Sequence, residues 1–356
     1  MNEKLVEKIV NATLYEGYLL YPYRSSSVKN RQRFNFGVLA PRDYAKAQGA
    51  TEKWQMRTEC LIEGNRQTAI RIKTNFLHLL RREIGELKEP IAKFNAEKLP
   101  EYKIVPSLEI DGQIFQTWEE ATEREIIFEN LKIGELLNAP QRREFSFPAS
   151  EKIEPLLNQE NRIVGVSVHR HQAITGEIEL KIRKTGARNL YKITVLISNL
   201  TPCSDAEKKN RGKSLLKSFI STHAILNAQA GEFVSLLDTP EQYKNAAAAC
   251  KNTGTFPVLV GENGDERDCI LSSPIILYDY PQIAAESAGD LFDAAEIDEI
   301  LTLRIMTLTD EEKREMRGLD DRARKILERT EMMPEEQLLK MHGALKGIGK
   351  AIKGGE

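Results

Sequence analysis

Cysteine is scarce in this chain. Four residues in 356, Cys60, Cys203, Cys250 and Cys269, stand far apart with no C-x-x-C pair. That spacing excludes a disulfide framework and a zinc ribbon. Charge of one sign is lacking too, since the net charge is −2 and the pI near 6.3. Nothing global draws the chain to nucleic acid or to an anionic membrane. No stretch approaches the roughly 18 apolar residues of a membrane span. The N-terminus, MNEKLVEKIV, carries charges throughout and does not read as a signal peptide. A reducing cytoplasm is the expected compartment. Internal repeats, low-complexity tracts and strong catalytic signatures are all missing.

What is present is ordinary globular material, 41% hydrophobic and 29% charged, enough for two or three domains. Residues 2–20 read as a helix with Leu5, Ile9 and Ala12 on one face. Trp54, Met56, Thr58, Cys60 and Ile62 alternate with polar residues, as do Ile70, Ile72, Thr74 and Phe76. The Gly64–Gln67 turn between them predicts a hairpin. Helical spacing follows through Leu77, Leu80 and Ile84. Asp111-Gly112 marks a second hairpin. Strict alternation returns at Val164–Val168, Ile178–Ile182 and Ile193–Ile197, which predicts half of an antiparallel sandwich. Phe219–Ile225 with Phe233–Leu237 reads as another hairpin, and 240–250 as a short helix. Pro274–Tyr280 reads as a buried strand that Pro281 ends. Thr309 and Glu312 form a capping box ahead of the stripe Met316, Leu319, Ala323, Ile326 and Leu327. A final helix is expected from Pro334.

These patterns predict an α+β protein with an antiparallel, β-rich, sandwich-like core. Residues 1–150 form a mixed N-terminal domain, 151–285 the sandwich-like domain, and 286–356 a helical segment docking on the rest.

Candidate chemistry is thin, and each motif has a plain alternative. Arg211-Gly212-Lys213-Ser214 resembles the end of a phosphate loop, but Glu207 stands where that motif needs glycine, so a solvated turn is favoured. His169 and His171 share one face of a strand, and Cys203 or His223 could complete a metal site. The favoured reading is a pair of surface or hydrogen-bonded histidines on the face opposite Val164, Val166 and Val168. The carboxylates at 290–299 could hold a divalent ion, yet Asp293 and Glu296 fit a helix first turn better. Aromatics from Tyr15 to Phe36 interleave with Arg24, Lys29, Arg31 and Arg33, a pattern that also serves to pin a segment on a core. Ser221, His223 and Asp238 lack a G-x-S-x-G elbow, and a core histidine is the better reading.

Two stretches, Leu14–Leu39 (LYEGYLLYPYRSSSVKNRQRFNFGVL) and Ser272–Arg304 (SSPIILYDYPQIAAESAGDLFDAAEIDEILTLR), resemble a bacterial family whose genes neighbour those of nickel–iron uptake hydrogenases. These motifs carry no defined chemistry, so the resemblance implies no residue roles. It implies an accessory, assembly or structural role in a hydrogenase-related complex, with no cofactor.

The leading expectation is therefore a non-enzymatic accessory protein with a protein partner, a metalloenzyme subunit or a second copy of itself. Its expected contact residues are Tyr278, Tyr280, Pro281, Asp290, Phe292 and Asp293, because aromatics anchor interface centres and acids form a rim. The alternative is a metal-dependent hydrolase or metallochaperone using His169, His171, Cys203 and His223 or the 290–299 carboxylates.

Overall fold

In a computed structural model, the described residues are 3–15, 36–49, 51–95, 100–204, 206, 210–262, 264–282, 305–319 and 321–334. Asp290, Phe292, Asp293, the whole 290–299 cluster, most of the N-terminal aromatic–basic stretch and the final expected helix lie outside them. The fold is α+β and dominated by antiparallel strands.

Strand β1 (Gln55–Glu63) forms over the expected residues, with Glu59 and Leu61 buried on its second face as well, and the first half of β2 (Ala69–Ile91) alternates as expected. They do not pair with each other. The expected hairpin is instead a crossover between two sheets. Thr68 is fully buried in that connection, and its Oγ1 donates to the Ala230 carbonyl at 2.6 Å.

The first sheet runs β13 (Glu232–Val234), β1, β11 (Leu190–Asn199), β10 (Ile174–Lys184), β7 (Gln141–Phe147). The second runs β14 (Phe256–Leu259), β15 (Cys269–Ser273), β12 (Ile220–Gln229), β2, β9 (Ile163–His171), β8 (Ser150–Leu157). On the far edge of β2 lie β3 (Tyr102–Val105) and β6 (Trp118–Lys132). Both large sheets draw strands from either side of residue 150, so the expected division there falls inside the sheets.

Strand β2 is the spine. Its first half pairs with β12 and β6, its second half with β9 and β3. Two changes of partner along 23 residues disturb any simple period. That explains why Leu77, Leu80 and Ile84, expected as helical, are strand residues buried against different neighbours. The expected hairpin of 219–225 with 233–237 is also a crossover, because β12 and β13 belong to different sheets. The β10–β11 hairpin stands as expected. So does β4 (Ser107–Ile110) with β5 (Gln113–Gln116), turning at Asp111 (φ 51°) and Gly112 (φ 82°).

Between the large sheets lies one apolar layer. Met56, Cys60, Ile178, Leu180, Ile193, Val195 and Ile197 face Ile70, Ile72, Phe76, Ile126, Phe128 and Leu226. Phe76 stacks on Phe219 with ring centroids 4.5 Å apart. Helix α1 (Glu3–Leu14) covers the outer side of β12 and β15 with Val6, Ile9 and Val10. Short helices α2 (Arg42–Ala47), α3 (Ile133–Leu136), α4 (Arg211–Leu215) and α5 (Lys244–Ala248) fill connections.

Helices α6 (Asp310–Arg317) and α7 (Asp321–Glu331) dock where β2, β5 and β6 meet. The capping box forms. Thr309 Oγ1 accepts from the Glu312 amide at 3.3 Å, and Glu312 Oε2 accepts from the Thr309 amide at 2.6 Å. Met316, Leu319, Ala323 and Leu327 bury against Trp118. Gly318 sits so close that a Cβ there would lie 1.8 Å from the Ile114 carbonyl oxygen. Arg82 completes the joint. Its guanidinium donates to the carbonyls of Gln116 (3.1 Å), Gly318 (2.9 Å) and Leu319, and pairs with Glu120 at 2.8 Å. Three of those partners hold the C-terminal end of α6 to β6 through one side chain.

Candidate functional site

Antiparallel register places a polar stripe across four strands of the second sheet. Ser167, His169 and His171 share a face of β9. Opposite them on β2 stand Ile84, Arg82 and Leu80, and on β8 stand Glu154, Lys152 and Ser150. Glu120 and Thr122 of β6 lie one strand further on. Helices α6 and α7 roof one end, leaving a cleft of about 490 Å³ lined by Arg82, Phe115, Glu120, Glu154, Ser167 and His169 among others. The histidines are of the hydrogen-bonded kind rather than bare on a surface: His169 is 21% exposed and sits inside the cleft.

Each histidine is engaged. His169 Nε2 meets Ser167 Oγ at 2.9 Å and Glu154 Oε2 at 3.5 Å, while Nδ1 faces Glu120 Oε2 at 3.7 Å. His171 lies between Thr122 Oγ1 (3.0 Å) and Ser150 Oγ (3.2 Å). Behind it, fully buried His78 packs ring to ring at 4.9 Å, with Arg124 at 3.4 Å from its Nδ1. Burial pushes all three below the ordinary imidazole range. His78 falls to about 3, with His171 and Arg124 adding to the effect; for His169, Glu154 opposes the shift and Arg82 and Lys152 reinforce it. The stripe is therefore neutral imidazole near pH 7.

The expected metal set does not assemble. His223 is buried on β12, where Nδ1 faces the Ser221 carbonyl oxygen at 2.7 Å and Nε2 meets Ser273 Oγ at 3.2 Å. Cys203 packs with Ala40, Tyr44 and Ala45 near α2. Neither reaches His169 or His171. The carboxylates around His169 approach opposite ring nitrogens and so cannot share an ion with it. Among the described residues no three His, Cys, Asp or Glu side chains converge on a metal position.

The other sequence candidates are local structure. Ser221 Oγ donates to the Thr13 carbonyl at 3.2 Å, and the Asp238 amide donates to Ser235 Oγ at 2.8 Å, so no triad forms with His223. Asn210 caps α4 through the Lys213 amide at 3.0 Å, and Arg211 pairs with Glu52, which accounts for the phosphate-loop lookalike. Tyr15 donates to Glu123 at 2.6 Å, pinning the end of α1.

Pro274–Tyr280 is not a strand. Strand β15 stops at Ser273, and the following residues form an irregular knuckle. Leu277 is buried under α1 with Val6, Ile9 and Val10. Asp279 accepts from the Leu259 amide at 2.7 Å and from Ser235 Oγ at 2.5 Å. The Tyr280 amide donates to the Leu259 carbonyl at 2.8 Å, in a left-handed conformation with φ 56°. Tyr280 packs against the core and Pro281 is buried. Of the expected contact residues, these two therefore pin the knuckle. Tyr278, 85% exposed, is presented by it, together with Ile276 at 73%. Sequence reading missed Ile276, whose sign is the apolar residue flanking Leu277 on the opposite side of an extended chain.

No family pattern matches the chain, and no curated protein is significantly similar to it. No helix among the described residues is long and apolar enough to cross a membrane.

Proposed function

We propose that this protein is an accessory protein of a larger assembly, docking through the Ile276–Tyr278 knuckle. The observation that carries this reading is an exposed tyrosine and isoleucine on a frame fixed at both sides. Leu277 is inserted beneath α1, and Asp279 and Tyr280 bond to Leu259. A chain held this way loses little conformational freedom when bound. That is the condition under which aromatic anchors contribute most. The partner class implied by the resemblance is a metalloenzyme subunit.

The test is the mass of the complex purified gently from native cells with wild-type protein and with an Ile276→Ser/Tyr278→Ser variant. The expected result is a stoichiometric complex containing a metalloenzyme subunit, lost in the variant at unchanged melting temperature. A wild-type protein that elutes only as a free monomer overturns the proposal.

A further inference from the structure

The cleft beneath α6 and α7 holds an arrangement that docking does not use. Ser167 Oγ stands 2.9 Å from His169 Nε2, and Glu120 lies across the ring, 3.7 Å from Nδ1. We propose that Ser167, His169 and Glu120 form a metal-free nucleophile site for short-chain acyl esters, giving the protein a hydrolytic activity of its own.

Geometry carries this reading. A nucleophilic serine needs a base within hydrogen-bond reach and a third group that orients the base. Ser167 and His169 are two apart on one strand, so the sheet fixes both on the same face. Glu120 comes from β6, and its pairing with Arg82 at 2.8 Å sets its position. With the imidazole proton on Nδ1 toward Glu120, the Nε2 lone pair points at Ser167 Oγ. Glu154 Oε2 lies 3.5 Å from Nε2, on the Ser167 side of the ring, and Glu154 is paired with Lys152 at 2.5 Å, so Glu120 is the carboxylate on the Nδ1 side. The serine is reached from the cleft, whose apolar walls, Phe115, Leu156 and Leu319, suit an acyl chain. Arg324 lines the same space and adds positive charge for an oxyanion.

The reaction balances without another reagent than water. Ser167 Oγ bonds to the acyl carbon as its proton passes to His169 Nε2 and the carbonyl pair moves to oxygen. That pair returns as the ester C–O bond breaks, and the departing alcohol takes the proton from Nε2. Water repeats the sequence on the acyl-serine, releasing the carboxylic acid and restoring Ser167. Ser167 and His169 are the catalytic residues, and Glu120 is a positioning residue.

The test uses the full chain, a fluorophosphonate probe that phosphonylates activated serines with loss of fluoride, and p-nitrophenyl butyrate. Mass spectrometry is expected to place one adduct on Ser167. His169→Gln should slow both labelling and ester hydrolysis about a hundredfold or more, and Ser150→Ala, beside His171, should leave them unchanged. Glu120→Gln should shift the acid limb of the labelling profile to lower pH. The groups facing His169 are then Glu154, favouring its protonation, and Arg82 and Lys152, opposing it, with Arg317 and Arg324 along the helical wall. A wild-type protein that is not labelled, is labelled elsewhere, or is labelled at Ser167 regardless of His169→Gln overturns the proposal. Because Ser167→Ala could disturb packing, the His169→Gln comparison at matched melting temperature decides the matter.

Discussion

Glu59 on β1 is 1% exposed and charged, so its removal is a direct measure of how the first sheet is held. Burial alone would push its carboxyl up. Hydrogen bonds from Arg57, the Lys251 amide (2.8 Å) and Lys192 (3.0 Å) overcome that and hold it down at about 2, and Thr194 Oγ1 adds a further bond at 3.1 Å. From an ordinary value of 4.5, that displacement corresponds to about 3 kcal/mol in favour of the folded state. The folded pKa is depressed, so this contribution is complete above about pH 4.5. It is lost as pH falls through 4.5 toward 2, and about 2 kcal/mol of it is gone by pH 3. The assay is urea unfolding of wild type and Glu59→Gln from pH 7 to pH 3. At pH 7 the variant should be less stable by about 2–4 kcal/mol. Arg57 and Lys192 are both partly solvated and recover some hydration, which keeps the figure from rising higher. The gap should then narrow with acid, other titrations cancelling between the two proteins. A gap below about 0.5 kcal/mol at pH 7, or one that stays flat to pH 3, would refute the reasoning.

Alongside His78, His223 acts in a different window. Burial depresses it to about 4, so the unfolded chain binds a proton below about pH 6.5 that the fold refuses. Stability should fall as pH drops from 6.5 to 4, by about 3 kcal/mol from this group, and His223→Gln should flatten that slope in pH-dependent unfolding. At the knuckle, Ile276→Ser/Tyr278→Ser should change unfolding free energy by less than about 0.5 kcal/mol, whereas Leu277→Ala should cost about 2–4 kcal/mol. Arg82→Ala should release α6 and α7, seen as faster proteolysis within 305–334 and a loss of roughly 2–4 kcal/mol in urea unfolding.

Local order was legible in the sequence because local rules decide it. Alternation found β1, β10 and β11, the Asp111-Gly112 pair found its turn, and Thr309 with Glu312 marked the start of α6. Pairing was not legible, because a strand's pattern records which face is buried and not which strand lies beside it. Residues 64–67 carry turn chemistry, yet the chain uses them to change sheets. The partners that separate a hairpin from a crossover are remote: β1 pairs with β11 and β13, β2 with β12 and β6, and the Thr68 hydroxyl between them donates to the Ala230 carbonyl. The same limit hid the cleft. S-x-H on a strand is common, and nothing near residues 167–169 announces Glu120, which arrives through the pairing of β6 with β2 and of β2 with β9. Pro274–Tyr280 failed for the opposite reason. Its apolar run has the composition of a buried strand, but Pro274 brings no amide to the ladder and Ser273 Oγ accepts the Ile275 amide at 3.1 Å, so the strand stops at Ser273. Asp279 then fixes the far side of the knuckle by accepting from the Leu259 amide and the Ser235 hydroxyl, and Tyr278 is held exposed beside it. Asp279→Ala should therefore loosen the knuckle and weaken docking without any change to Tyr278 itself.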